Sequence, residues 1–366
     1  MRTIVLTMLN VFFLFGCTSY PEKNIKIETI DFKKVSTKPF SLVETMGILS
    51  TPTQIPLHFS EDMYLKAIKI IKTYDKKFYV ADTYWRDANL IVFDSDGMPI
   101  STIGRRGRGP GEYFNITDFD IDSNGNIHLI NGSTNHLLLY NADYKFIETI
   151  KLPFSVDLIK CLDNGNYLLA LSSWNTGEYE NDMLVITDKE FNVLESVAKY
   201  DKSVVDNNFR LSNSSFVEAF SKIFFQQANI DDQVYVMNRD GQINRVYHFD
   251  FGSQKVPNEY RSNLEAHFDE KTLHNYRSLI GFTIVNERYI LGTMWDKGIT
   301  KCFLFSRGNR TMYEKPRFQP NNTSEVFLSI LEDKLVTAIT NTNEIIGSVK
   351  GKVTWSDYTL CFYTLQ

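Results

Sequence analysis

The densest group of side chains able to do chemistry is Gly104-Arg105-Arg106-Gly107-Arg108-Gly109-Pro110-Gly111-Glu112-Tyr113. Guanidinium forks at Arg105, Arg106 and Arg108 match carboxylates and phosphates in two-point contacts. The glycines and the proline explain a tightly bent backbone without any ligand, and Glu112 stands where it can pair with a neighbouring arginine. A second group is the tryptophans Trp85, Trp174, Trp295 and Trp355, large amphipathic surfaces suited to stacking on a ligand or wedging between packed layers. Other chemistries find little footing. The histidines at 58, 128, 136, 248, 267 and 274 are scattered, and no His-Glu-x-x-His, Gly-x-Ser-x-Gly or P-loop pattern occurs. Cys161, Cys302 and Cys361 lie in apolar runs without zinc-like spacing and read as small buried hydrophobes. Asp120-Ile121-Asp122-Ser123-Asn124-Gly125 opens like a calcium loop. Its twelfth position is Asn131, where a bidentate Glu is needed. No catalytic residue, metal or cofactor is therefore assigned. A net charge of −5 gives no reason to expect nucleic acid as a partner, since a phosphate-binding surface needs clustered excess Lys and Arg.

The N-terminus carries one further chemical group. Arg2 precedes an apolar stretch, residues 4–15, that is too short to span a bilayer and stops at Leu14-Phe15-Gly16-Cys17. A small residue just before a Cys at the end of such a stretch resembles the lipobox of bacterial lipoproteins. The resemblance implies a signal peptide over 1–16, cleavage before Cys17, acylation of Cys17, and a lipid anchor in the membrane. Residues 17–39 then form a polar tether and leader. Only Glu22 is acidic among the residues just past Cys17, so periplasmic and surface display at the outer membrane both stay open.

The elements that must position these groups follow from an internal repeat. An apolar strand followed by a polar turn recurs at Leu90–Phe93, Leu137–Tyr140, Leu184–Thr187, Val234–Met237, Cys302–Phe305 and Leu360–Tyr363. The first turn residues are Asp94, Asn141, Asp188, Asn238 and Ser306, a spacing of about 40–70 residues that suits four-stranded propeller blades. Upstream of each copy lies another strand pair, joined in several cases by Asn-Gly or Asp-Gly-type hairpin signals. High aromatic content, 14%, fits half-buried strands. The expectation is an all-β, six-bladed β-propeller over 40–366 with four strands per blade. The sixth blade lacks its last strand, and the N-terminal region must supply it to avoid a bare edge. Residues 25–32 and 53–59 both have strand character, and 53–59 is preferred as the closure strand.

The segment at 104–113 is similar to the "G-x-x-G-x-G-P-G-E-Y" stretch of six-bladed propeller lipoproteins from gut-dwelling Gram-negative anaerobes, distant relatives of NHL-repeat and TolB-like propellers. Gln54-Ile55-Pro56-Leu57 and Asn244-Arg245-Val246-Tyr247-His248-Phe249-Asp250-Phe251-Gly252 resemble further segments of that family. The resemblance implies fold and envelope location and carries no activity.

Naming strands A to D outward from the axis, the A–B and C–D turns share one face of the ring and are short. The B–C and D–A connections share the other. They include 104–115, 199–215 and 252–279, the last with a helix expected near Pro257, and all four tryptophans are placed in B–C connections. The expected site is therefore this long-loop face, with Arg105, Arg106, Arg108, Glu112, Tyr113, Trp85, Trp174, Trp295 and Trp355 as ligand contacts. The expected function is a non-catalytic binding or scaffold propeller for a glycan, peptide or partner protein. The alternative is a metal-dependent, lactonase-like hydrolase with its site in the central channel, which rests on fold analogy. It needs several carboxylates converging on the axis, for which Asp118, Asp120, Asp157 and Glu325 lie near A strands. A channel that is apolar or filled with lysines, with exposed Trp on the loop face, favours binding.

Overall fold

The computed structural model describes residues 25–33, 35–41, 43–59, 63–83, 88–200, 216–227, 232–257, 260, 274–317, 325–341 and 357–366. Three strands precede the first blade: β1 (Lys26–Asp31), β2 (Ser36–Pro39) and β3 (Thr53–Leu57). Blade one is β4 (Ile70–Tyr74), β5 (Lys77–Asp82), β6 (Asn89–Phe93) and β7 (Pro99–Thr102). The short pair β8 (Arg105–Arg106) and β9 (Glu112–Tyr113) follows. Blade two is β10 (Asp118–Ile121), β11 (Ile127–Asn131), β12 (His136–Tyr140) and β13 (Phe146–Lys151). Blade three is β14 (Val156–Cys161), β15 (Tyr167–Leu171), β16 (Asp182–Thr187) and β17 (Val193–Lys199). Blade four is β18 (Phe216–Ala219), β19 (Lys222–Phe225), β20 (Gln233–Met237) and β21 (Ile243–Asp250). Blade five is β22 (Arg277–Val285), β23 (Tyr289–Asp296), β24 (Ile299–Ser306) and β25 (Thr311–Pro316). Blade six is β26 (Glu325–Leu331), β27 (Lys334–Asn341) and β28 (Asp357–Thr364), with β3 antiparallel to β28 as its outer strand. The fold is a six-bladed β-propeller. Among the described residues no helix is long and apolar enough to cross a membrane.

One local device builds the repeat. At the C–D turns of blades one to four, the side chain of Asp94, Asn141, Asp188 or Asn238 accepts the amides two and four residues on, at 2.8–3.1 Å. Asx residues nucleate such turns because a short side chain replaces a backbone acceptor. Three residues later the chain turns left-handed, at Gly97, Tyr144, Phe191 and Gly241. Asp122 caps the A–B turn of blade two in the same way, through Asn124 and Asn126. The calcium-like segment is thus a hairpin turn.

The leader is part of the ring. β1 docks parallel on β21, Lys26 opposite Arg245 and Asp31 opposite Asp250, as a fifth strand of blade four. β2 docks parallel on β25 as a fifth strand of blade five. β3 lies on blade six, so residues 26–57 belt three consecutive blades. The boundary at residue 40 is corrected by these pairings, because 26–39 contributes ladder hydrogen bonds and core. Phe32 is fully buried among Phe249, Phe251, Phe303 and Phe305, with ring centroids 4.9–6.0 Å away. The seam between blades six and one closes where His58 N–H donates to the Gly97 carbonyl at 2.9 Å.

Candidate functional site

Inner strands of all six blades enclose an axial cavity of about 980 Å³. Its wall is ionic over blades one to four. Lys72 Nζ reaches Asp120 Oδ1 at 2.9 Å and Asp118 Oδ1 at 3.9 Å. Lys160 Nζ bridges Asp120 Oδ2 at 3.0 Å and Glu218 Oε2 at 3.1 Å. Arg239, from the C–D turn of blade four, continues the chain to Glu218 at 2.8 Å and Asp163 at 2.7 Å. Asp118 and Asp120 also stitch blade two to blade three, accepting the amides of Ile159 and Cys161 at 3.0 and 2.7 Å. Burial pushes the Asp118 carboxyl up to about 6, against the pull of Lys72. Burial acts the same way on Asp120, but Lys160 and Lys72 outweigh it and hold that carboxyl at about 2. Cys161 lines the same wall. Burial and Asp120 push its thiol well up, which disfavours the thiolate a nucleophile needs. Over blades five and six the lining gains apolar groups, Phe282, Phe327 and Leu328, beside Thr293, Ser329 and Arg317.

The two mouths differ. On the long-loop face the lining includes Asn115, Thr117, Ser133, Ser155, Ser172 and Trp174. These groups are held by a local network. Thr117 Oγ1 accepts Gly132 N–H at 3.1 Å and the Asn115 amide at 3.2 Å, while Asn115 Oδ1 accepts Ser133 N–H at 3.0 Å. Ser172 donates to Asp157 at 2.7 Å, and Asn175 ties Ser155 to Ser172 through three bonds of 2.8–2.9 Å. On the short-turn face the lining includes Ser123, Asp163, Ser221, Glu332 and Asp333. There His128 bridges blades two and three, with Nε2 at 3.3 Å from Asp122 and Nδ1 at 3.1 Å from the Tyr167 hydroxyl.

The Arg-Gly segment lies elsewhere. Arg105 Nε donates to Glu112 at 2.6 Å, and Glu112 also accepts Gly109 N–H at 2.8 Å. These two bonds hold the Glu112 carboxyl below the usual range. Arg108 lies over the Phe114 ring at 5.5 Å, and Arg106 is exposed in β8. Tyr113 is buried and donates to the Ile103 carbonyl at 3.2 Å, while Tyr140 donates to the Gly111 carbonyl at 3.0 Å. A Cβ at Gly104 would meet the Tyr140 hydroxyl at 2.4 Å, and one at Gly111 would meet Phe146 at 2.8 Å. The segment therefore packs on the outer strands of blade two, bracing the flank between blades one and two. Arg105, Arg106, Arg108, Glu112 and Tyr113 are not among the residues lining the channel.

Of the tryptophans, Trp174 lines the channel. Trp295 is a strand residue rather than a loop residue, since β23 and β24 extend to a tight turn at Lys297 and Gly298. Its ring lies 6.4 Å from that of His274. Cys17, Trp85, Trp355 and nearly all of the helix expected after Pro257 fall outside the described residues. Glu325 opens β26. Sequence reasoning named Asp118, Asp120 and Asp157 but missed Lys72, Lys160, Glu218 and Arg239. The available signal was the presence of charged residues inside otherwise apolar A strands: Lys72 in β4, Asp118 and Asp120 in β10, Asp157 and Lys160 in β14, and Glu218 in β18. Among the described residues no group of three or more His, Cys, Asp or Glu is arranged to hold a metal.

Comparison with known proteins bears on the fold. A Bacteroides fragilis protein described as exported superposes with a TM-score of 0.70 at 16% identity, over 93% of this chain and 100% of that one. A Bacteroides vulgatus member of the DUF4221 family gives a TM-score of 0.53 at 11% identity, over 87% and 98%. A virginiamycin B lyase from Staphylococcus aureus gives 0.45 at 12% identity, over 86% and 100%. No curated protein matches the sequence. Residues 22–329 match the family DUF5128, described as a 6-bladed beta-propeller. The blade count, the strand order and this match agree, and the chain belongs to that six-bladed β-propeller family.

Proposed function

We propose that the chain is an envelope-anchored, non-catalytic binding propeller that takes a glycan at the long-loop mouth of its axial channel. The observation that carries this reading is the mouth itself. One aromatic side chain, Trp174, stands beside an arc of hydroxyls and amides from Asn115, Thr117, Ser133, Ser155 and Ser172 of blades two and three. An aromatic face with a few convergent polar groups suits a hydroxyl-rich ligand that is apolar on one side and hydrogen-bonding on the other. Preorganised donors lose little on binding. The ion pairs beneath the mouth support binding over hydrolysis. Asp120, which a channel metal would need, already has a lysine on each oxygen.

The envelope location rests on the apolar stretch that ends at Gly16-Cys17 and on a structural neighbour described as exported. The test is thermal-shift and calorimetric titration of the full chain with soluble oligosaccharides and, in parallel, short peptides. At least one oligosaccharide should bind, and Trp174→Ala should abolish binding without changing the fold. Binding of peptides alone would replace the glycan with a protein partner. A stoichiometric metal in the purified protein would sink the non-catalytic reading.

A further inference from the structure

We infer that the short-turn face of the ring is the face held against the lipid, so that the Trp174 mouth of the channel opens away from the membrane. The inference rests on the lipid anchor at Cys17 proposed above. What it adds comes from the direction of β1.

β21, the fourth strand of blade four, runs from the C–D turn at Asn238 on the short-turn face to Asp250 on the long-loop face. β1 is parallel to it, with Lys26 opposite Arg245 and Asp31 opposite Asp250. The chain therefore joins the ring at the short-turn edge and leaves β1 at the long-loop edge. That junction is fixed. Glu28 is clasped by Arg245 of blade four and Arg307 of blade five. Lys33 pairs with Asp250 at 2.6 Å, Phe32 N–H donates to the Asp250 carbonyl at 2.9 Å, and Phe32 is locked among four phenylalanines. Peeling β1 from the ring would expose Ile30 and Phe32, both core residues.

Reach decides between the two orientations. From Cys17 to Ile25 the chain spans at most about 29 Å when fully extended. With the short-turn face down, only the headgroup layer has to be crossed from Ile25. With the long-loop face down, the chain would first climb the blade edge from Ile25 to the level of Asp250, about 20 Å of strand. What remains must cross the loops beyond Asp250 and a headgroup layer of about 6 Å. The inverted orientation thus consumes nearly all of the tether.

Charge does not supply an alternative cause. The turns of the short-turn face mix acids such as Asp94, Asp143 and Glu190 with bases such as Lys145, Lys189 and Arg288, so neither sign dominates it. The orientation should therefore be insensitive to ionic strength, since screening acts on the charge term and not on chain length.

The experiment uses the acylated full chain bound to vesicles that carry a headgroup-attached fluorescence quencher. Single reporters are placed at Asp143→Cys on the short-turn face and Glu178→Cys on the long-loop face. Cys161→Ser removes the half-buried native thiol. Flotation of the wild type and of Cys17→Ala comes first. Equal behaviour of the two removes the lipid-anchor reading, and the inference falls with it. Where the wild type floats and Cys17→Ala does not, the Asp143→Cys reporter should be quenched several-fold more than the Glu178→Cys reporter, at low and high salt alike. A long Gly/Ser insertion after Ser19 should erase that difference. Equal or reversed quenching at natural tether length overturns the orientation while leaving the anchor standing. A difference that survives the insertion overturns tether length as its cause.

Discussion

Blades four to six and blades one to three are built differently. The first set is belted by β1, β2 and β3, and one hydrophobic core runs through it without a break, from Phe32 and Phe249 to Phe303, Phe327 and Tyr363. Blades one to three end at β7, β13 and β17. Among the described residues nothing pairs with the outer edges of these strands, and the cores between the blades are separate and smaller. Their free edges carry Pro99, Glu148, Lys151, Glu195 and Lys199, the residue types that discourage strand addition. The inner wall divides one blade later. Blades one to four line the channel with paired charges, and the long-loop mouth is furnished by blades two and three. The difference teaches a division of labour. The belted half holds the ring closed, and the bare half carries the groups to which the proposed function assigns the ligand.

Substitutions should separate the two halves. Phe32→Ala removes the ring that packs blade four against blade five from outside. It should cost about 3–5 kcal/mol, read as a lowered urea midpoint, and should leave ligand affinity unchanged at temperatures where the ring is folded. Gly97→Ala attacks the seam where the two halves meet. Gly97 sits at φ +81°, and an added Cβ would lie 2.0 Å from the Pro56 carbonyl oxygen of β3. Left-handed strain and a backbone clash together should cost roughly 2–4 kcal/mol. A neutral outcome at either position would mean that the belt does not hold the ring.

In the bare half the expected effects are smaller and carry a pH signature. The folded Asp118 carboxyl titrates near 6, above the usual carboxylate range. A raised folded value means that the folded state binds the extra proton, so this group adds stability as pH falls from about 6 to 4 and withdraws it as pH rises. Asp118→Asn should flatten that window, on the order of 1 kcal/mol relative to wild type. A parallel pH profile for the two proteins would contradict the assignment. Arg105→Ala should do least. Its side chain is 81% exposed and its pair with Glu112 lies on the flank, so both the unfolding midpoint and ligand affinity should stay where they are. Weakened ligand binding by this variant would move the site from the channel to the flank.

Much of this was legible in the sequence, for stated physical reasons. The Asx turns at Asp94, Asn141, Asp188 and Asn238 are local devices, so they announce the repeat directly. The belt was not legible. The pattern of 26–31 marks a strand, but nothing local says which edge it joins or that it joins in parallel. Trp295 was placed in a loop because the B–C hairpin of blade five extends through Trp295 and Asp296 to Lys297 and Gly298, and strand length is set by the pairing partner. The glycines at 104, 107 and 111 announced a tight path. That the path turns back along blade two follows from Tyr140 and Phe146, residues distant in sequence. The channel charges were half legible, since the acids drew attention as metal candidates while the lysines that pair with them lay one blade away.

The most direct test of the account is calorimetric titration of wild type and Trp174→Ala with the best-binding oligosaccharide. The account predicts that the wild type binds and that the variant loses at least tenfold in affinity, about 1.4 kcal/mol or more, while both unfold at the same temperature. Equal affinity in the two proteins would contradict it.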